Sequence, residues 1–349
     1  MLSFEPSGVV IAGDGLGLGR PVAASIEDLL GGEVTREPLR RADSKSEVLF
    51  ERVVIDGRPY VLKHLHCDGD WIARGTGDLT CRPLVLWRGG ILDMLPECLD
   101  HAVVAVAGGL GRHGWGAAVL MRDVSEWLIP EGDTPLPWAQ HRGFLNHMAA
   151  LHAAFWGFED TVGLTPCSHR YLLFGPCLWE TEAALGSDAA VPRLAYEGWS
   201  RFRDIAPRAA SVVLPLLTAP WPLVQALETT PATFIHGDWK AGNLGTGPNG
   251  RTLLLDWALS GRGSPCAELA WYLSINAARL PESYEDAIAA YRRCLEGHGV
   301  DTGGWWERQL GLALLGALVQ FGWDKALHGT AEDLHWWEER AFEGVRWLG

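Results

Sequence analysis

Three polar residues late in the chain have the types and spacing to do chemistry together. Asp238 and Asn243 stand five apart in Phe234-Ile235-His236-Gly237-Asp238-Trp239-Lys240-Ala241-Gly242-Asn243, and Asp256 closes the apolar run Leu253-Leu254-Leu255 just before Trp257. Asp238 can accept a hydroxyl proton. Asn243 and Asp256 can hold a hard cation through oxygen, and such a cation commonly bridges to the phosphates of a substrate. A base beside a magnesium site is the equipment for phosphoryl transfer from ATP. Taken singly, each residue has a plainer reading: a capping aspartate, a turn asparagine, a solvated strand-end carboxylate.

Taken together, H-G-D-x-x-x-x-N and a following apolar strand ending in D-W resemble the catalytic core of the aminoglycoside phosphotransferase and choline kinase-like family. The resemblance implies an α+β, bilobal, protein-kinase-like fold. A small β-rich N-terminal lobe would hold the nucleotide, and a large, mainly helical C-terminal lobe would carry catalysis and the acceptor. The division falls near residue 124, giving 1–124 and 125–349. The implied reaction is ATP-dependent phosphorylation of a hydroxyl on a small molecule. Asp238 would be the base, and Asn243 and Asp256 the Mg2+ ligands. Lys240 would help neutralise the transferring group.

Elements must bring these residues together with a phosphate-binding cation. Three strand-like segments read as Val34–Leu39, Val48–Ile55 and Tyr60–Leu65, with Asp56-Gly57 as a hairpin turn. Period-2 alternation places Lys63 beside Val61 and Leu65. A lysine among apolar neighbours needs a reason, because an unpaired buried ammonium is costly. The resemblance supplies one, since the third strand of the family's small lobe carries the ATP-phosphate lysine. The loop 40–47 lies where kinases place a glycine-rich cover. It has no glycine, but Ser44 and Ser46 can donate to phosphate. Ala117–Val124 reads as a fourth strand entering the hinge, where Met121, Arg122 and Asp123 would meet the adenine edge. A core strand with a polar exit would leave the same pattern.

Kinases orient this lysine with a glutamate on the next helix, and no such glutamate stands out here. Asp78 is the favoured substitute. Leu84, Trp87, Ile91 and Leu95 recur at helical spacing and predict a helix over 83–95 despite Gly89-Gly90. The run Gly13–Gly19 lacks the strand-turn-helix context of a phosphate loop and reads as surface loop. Beyond residue 124 the pattern is mostly helical. Helices are expected over 137–158, 305–327 and 330–348, the last with a capping-box-like Thr330-Ala331-Glu332-Asp333. His152 and His236 are expected to support the catalytic loop, with no serine or cysteine nucleophile beside them. Glu268 takes the place of the aspartate in the family's D-L-A helix start, as a loop support or a wall of the acceptor site.

Composition bounds the partners. The chain has 349 residues and a formal charge of −14, of which residues 125–349 carry −10. That surface disfavours nucleic acid and would attract a cationic acceptor. No apolar run reaches the eighteen residues of a spanning helix, so no membrane partner is expected. Seven scattered cysteines without a C-x-x-C pair fit a reducing, cytoplasmic setting. His64, His66 and Cys67 lack the companion ligands of a closed zinc site. Most of the eighteen tryptophans are expected in the core. One alternative stays open, a non-catalytic nucleotide-binding pseudokinase. The missing glycine loop and glutamate favour it, and the intact Asp238, Asn243 and Asp256 oppose it.

Overall fold

The computed structural model describes residues 19–32, 34–39 and 48–348. Ser44, Ser46 and nearly all of the Gly13–Gly19 run lie outside the described residues. The N-terminal part begins with helix α1 (Ile26–Leu30), where Ser25 Oγ accepts the Asp28 N–H as an N-cap. Strands β1 (Thr35–Leu39), β2 (Phe50–Ile55) and β3 (Arg58–Leu65) follow. Two short helices, α2 (Trp71–Thr76) and α3 (Arg82–Arg88), precede β4 (Leu99–Asp100), β5 (Val103–Leu110) and β6 (Gly116–Arg122). Five of these strands form one antiparallel sheet in the order β1-β2-β3-β6-β5.

The expected strands are present, and Asp56-Gly57 makes the β2–β3 turn, both residues at positive φ. Two expectations change. The helix over 83–95 stops at Arg88, because Gly90 takes φ 67° and a separate 3-10 turn covers Ile91–Met94. Leu84, Trp87 and Ile91 are nonetheless all buried. The spacing reported the inward face correctly, and the glycine pair broke the backbone. Strand β5 was not foreseen. Its Val-Val-Ala-Val-Ala-Gly-Gly-Leu run contains small residues and carries register shifts against β6, so its alternation is faint.

Helices dominate the C-terminal part. They are α4 (Trp138–Ala154), α5 (Cys167–Leu172), α6 (Pro176–Leu185), α7 (Ala190–Ile205), α8 (Pro207–Thr218) and α9 (Trp221–Glu228). After short strands β7 (Thr233–Ile235), β8 (Leu244–Thr246), β9 (Thr252–Leu254) and β10 (Gly261–Gly263) come α10 (Pro265–Ile275), α11 (Tyr284–Gly297), α12 (Trp306–His328) and α13 (Ala331–Val345). Thr330 caps α13 through the Asp333 N–H, as its sequence suggested. Helix α12 is long and apolar enough to cross a membrane, but 78% of its apolar window is buried inside the molecule. It packs against α7, α10 and α13, so its all-round hydrophobicity is that of a central core helix.

The two parts touch on both sides of the cleft between them. On one side, the segment after β6 runs alongside β8, with the Ile129 N–H donating to Leu244 O at 3.0 Å. On the other, α2 packs against the helical part. Arg74 forms a two-pronged pair with Glu182 of α6 at 2.7 and 2.6 Å, and Trp71 lies 6.2 Å from the Phe174 ring. Tryptophans 71, 87, 199, 239, 257, 271, 306, 323 and 337 are buried. Half of the eighteen therefore serve packing, which leaves few to wall a ligand site.

The closest helix crossing sets a test of this packing. A Cβ on Gly198 of α7 would lie 2.3 Å from Trp323 O on α12. Gly198→Ala is expected to lower unfolding free energy by about 1–3 kcal/mol, read from urea denaturation. An unchanged midpoint would show that the α7–α12 contact is looser than described.

Candidate active site

Strand β7 is buried at all three positions and delivers the chain into the His236-Gly237-Asp238 turn. Gly237 has φ 84°, and a Cβ there would sit 2.2 Å from Leu259 O. Only glycine suits a backbone packed this closely in this conformation. The turn is then held from below. The Glu268 carboxylate accepts the N–H groups of His236, at 3.1 Å, and of Gly237. Glu268 also bonds His152 Nε2 at 2.8 Å, and His152 Nδ1 meets the Tyr291 hydroxyl at 2.6 Å. His236 Nδ1 accepts the Asp238 N–H at 3.2 Å, and burial lowers its pKa. Both histidines therefore act as buried supports. Glu268 does too: it is 1% exposed and cannot wall an acceptor site.

The next support had no sequence signal. Asn276, just past the C-terminus of α10, accepts the Ala241 N–H at 2.7 Å and donates to Trp239 O at 3.3 Å. It fixes the segment between Asp238 and Asn243. A lone asparagine after a helix reads as an ordinary terminus, so nothing in the sequence separated it from others.

Asp238 and Asn243 meet directly. Asn243 Nδ2 donates to Asp238 Oδ2 at 2.8 Å and to its backbone oxygen at 3.1 Å. Lys240 Nζ lies 2.8 Å from the same Oδ2. The other oxygen, Oδ1, is buried without a hydrogen-bond partner among the described residues. With its amide N–H groups committed to Asp238, Asn243 turns its carbonyl oxygen the other way. The β8–β9 hairpin then sets Asp256 alongside, through the Leu255 N–H to Asn243 O bond at 2.9 Å.

Asp256 stands at φ 64°, ψ 75°, a left-handed conformation uncommon outside glycine. Lys63, from β3, donates to its Oδ1 at 2.8 Å across the cleft. Burial opposes ionisation of Asp256, but Lys63 and Lys240 outweigh it and hold the carboxyl well below the usual range. The lysine of the sheet and the carboxylate of the hairpin thus meet as expected. The expected partner of Lys63 does not. Asp78 accepts the Arg82 N–H at 2.9 Å and the Thr80 N–H at 3.2 Å, so it caps α3 instead. Asp70, at the start of α2, is the buried acid whose field reaches both Lys63 and Asp256. It caps α2 through the Ile72 N–H at 2.9 Å. Its neighbouring Gly69 and its place in a loop-rich stretch hid it.

A cleft of about 480 Å3 opens beside this cluster. Phe50, Val61, Met121, Ile129 and Leu255 give it apolar walls, and Asp123, Ser125 and Glu126 rim it. Asp123 Oδ1 accepts the Ser125 N–H at 3.1 Å and its hydroxyl at 2.6 Å, which shapes the turn out of β6. Arg122 also lines the cleft, with its guanidinium bonded to Asp100. An apolar cleft whose Phe50 and Leu255 walls adjoin Lys63 and Asp256 is one that a base with a phosphate tail would fill.

Known proteins give a consistent picture. Residues 109–301 match the model of the phosphotransferase enzyme family. No curated protein sequence matches the chain. Among solved structures, a choline kinase from Streptococcus pneumoniae aligns over 93% of this chain and 95% of its own, at 16% identity and TM-score 0.50. A thermostable mutant of an aminoglycoside phosphotransferase, in ternary complex with ADP and hygromycin B, aligns over 92% and 97% at 16% identity and TM-score 0.47. A microcompartment-associated aminopropanol kinase aligns over 89% and 90% at 16% identity and TM-score 0.46. The choline kinase shows a shared kinase-like fold, and the family match covers more than half of the chain. With HGD, Asn243 and Asp256 assembled in one cleft, the chain belongs to the phosphotransferase enzyme family.

Proposed function

We propose that this enzyme transfers the terminal phosphoryl group of ATP to a hydroxyl of a small molecule. The observation that carries this reading is the state of Asp238. One carboxylate oxygen is occupied by Asn243 and Lys240, and the other is buried and unpartnered. An unsatisfied buried acceptor is costly and marks a place where a donor belongs. An acceptor hydroxyl would be that donor, and Asp238 would orient it and take its proton.

Asn243 and Asp256 fit a magnesium ion, which prefers a few protein oxygens together with waters and phosphates. When bound, the ion would neutralise phosphate charge. The chain's own residues do the rest. Lys63 holds phosphate from the sheet side, and Lys240 sits on the other carboxylate oxygen of Asp238, Oδ2. Met121, in β6, and Asp123, just after it, line the slot for adenine; Ser44 and Ser46, which lie outside the described residues, are proposed from the sequence as hydrogen-bond donors to the phosphates. Asp70 adds a second buried carboxylate whose field reaches Lys63 from the start of α2, although burial raises its pKa. The work is positioning and electrostatics rather than covalent chemistry. On this reading residues 1–124 bind nucleotide and 125–349 bind the acceptor. Nothing in the site favours a non-catalytic module.

The acceptor is proposed to be a small polar alcohol, and a cationic one fits best. The charge of −10 on residues 125–349 raises the local concentration of cations. Choline, the substrate named for the Streptococcus pneumoniae kinase, is an alcohol of this class.

Asp238→Asn is expected to lower kcat about a hundredfold or more while leaving Mg·ATP affinity intact; near-wild-type turnover with the true acceptor would remove Asp238 as the base. Asp256→Ala should abolish the magnesium dependence of ATP binding, measured by calorimetry, because the cation loses its one anionic protein ligand. Unchanged Mg·ATP affinity would exclude Asp256 from the metal site. A screen of cationic, neutral and anionic alcohols at two ionic strengths tests the acceptor. A cationic substrate should lose kcat/KM as salt rises. Efficient, salt-independent phosphorylation of an anionic alcohol would defeat the cationic assignment and leave the kinase reading standing.

A further inference from the structure

Two arginines lie in the interior without a carboxylate on their side chains. Arg170 of α5 is 7% exposed and Arg82, at the start of α3, is 3% exposed. A buried guanidinium is costly unless its N–H groups find acceptors. Each finds one acceptor at the same place. Arg170 Nη2 donates to Leu259 O. Arg82 Nη1 donates to Ala258 O at 3.4 Å, while its fork is anchored on Thr76, at 2.8 Å to Oγ1 and 2.8 Å to the backbone oxygen. Ala258 and Leu259 belong to the single 3-10 turn Trp257–Leu259 that follows Asp256.

That turn is what sets Asp256 at φ 64°, ψ 75°. A non-glycine residue stays in such a conformation only where its surroundings over-determine it. The two arginines reach the turn from different parts of the fold. Arg82 comes with the helices that follow the N-terminal sheet strands, and Arg170 comes from the helical part. Arg170 also lies against the other half of the site, since a Cβ on Gly237 would be 2.2 Å from its Nη1. One cation therefore packs between the residue before Asp238 and the turn after Asp256.

We propose that Arg170 and Arg82 are positioning residues for Asp256, holding the carbonyl oxygens of its following turn so that its carboxylate faces the cation. Neither touches the reacting atoms. The inference rests on the reading of Asp256 as a cation ligand. Hydrogen bonds from a charged donor are the strong ones. Losing them frees the turn without removing any ligand.

The test uses the full chain with Arg82→Met, Arg170→Met and Arg82→Lys. ATP binding is titrated by calorimetry with and without Mg2+, and folding is followed by urea denaturation. Each Met variant should fold cooperatively and bind metal-free ATP as the wild type does. Each should lose about ten- to a hundredfold in apparent Mg2+ affinity, with occupancy recovered at high Mg2+. Arg82→Lys should recover part of the loss, because it keeps a charged donor. Folded variants with wild-type Mg2+ dependence would overturn the assignment. So would failure of all three to fold, which would make the pair a stability feature alone. If wild-type ATP binding ignored Mg2+, the reading of Asp256 would fall first. If only the variants matched wild type, the arginine assignment alone would fall.

Discussion

Everything at the catalytic loop depends on one carboxylate that water does not reach. Burial alone would push the Glu268 pKa up, yet His152 and the loop N–H groups hold it below its ordinary value. A buried charge of this kind is tolerable only while its donors stay in place. Two of those donors are the backbone N–H groups of His236 and Gly237, so the ionised state of Glu268 and the shape of the HGD turn are one condition. The third donor is the His152 ring, set in turn by Tyr291. The loop is therefore held by its foundations as well as by its own hydrogen bonds.

Much of the site was legible because its residues come in a dense local pattern. Asp238, Asn243 and Asp256 sit on one loop and the hairpin after it, and Lys63 stands out as a charge on an apolar strand. The hairpin at Asp56-Gly57 and the cap at Thr330 were legible for the same reason: each has a short-range cause. What was hidden has long-range causes. Asn276 matters only because α10 ends beneath the loop. Arg82 and Arg170 matter only because α3 and α5 meet at the turn after Asp256. Asp70 and Asp78 look alike in the sequence and each accepts backbone N–H groups at a helix start, and only the fold decides which one's field reaches Lys63.

The fold shows the same split. Spacing alone marked the buried face of residues 83–95, but not that Gly90 would leave the helical region. Strand β5 went unseen because small residues dilute its pattern, and its place is fixed by pairing with β6 rather than by its own side chains. Propensity is a weak prior where tertiary contacts decide. The lysine–carboxylate pair across the cleft joins the two kinds of information. Each partner could be picked out in the sequence, and the β3–β6 register with the β8–β9 hairpin brings them within 2.8 Å.

The small strand β4 carries a consequence for modularity. Leu99 and Asp100 pair in parallel with Thr252 and Leu253 of β9, although β5 and β6, which come next in the chain, return to the N-terminal sheet. Arg251 reinforces the seam by donating to Leu99 O. The backbone thus visits the second part, goes back, and leaves again before the helices begin. A cut near residue 124 would strip the β8–β9 hairpin of its neighbouring strand. Neither half is a self-sufficient cassette, and a recombination that exchanged N-terminal halves between related chains would have to carry residues 99 and 100 as matched partners of the hairpin they flank.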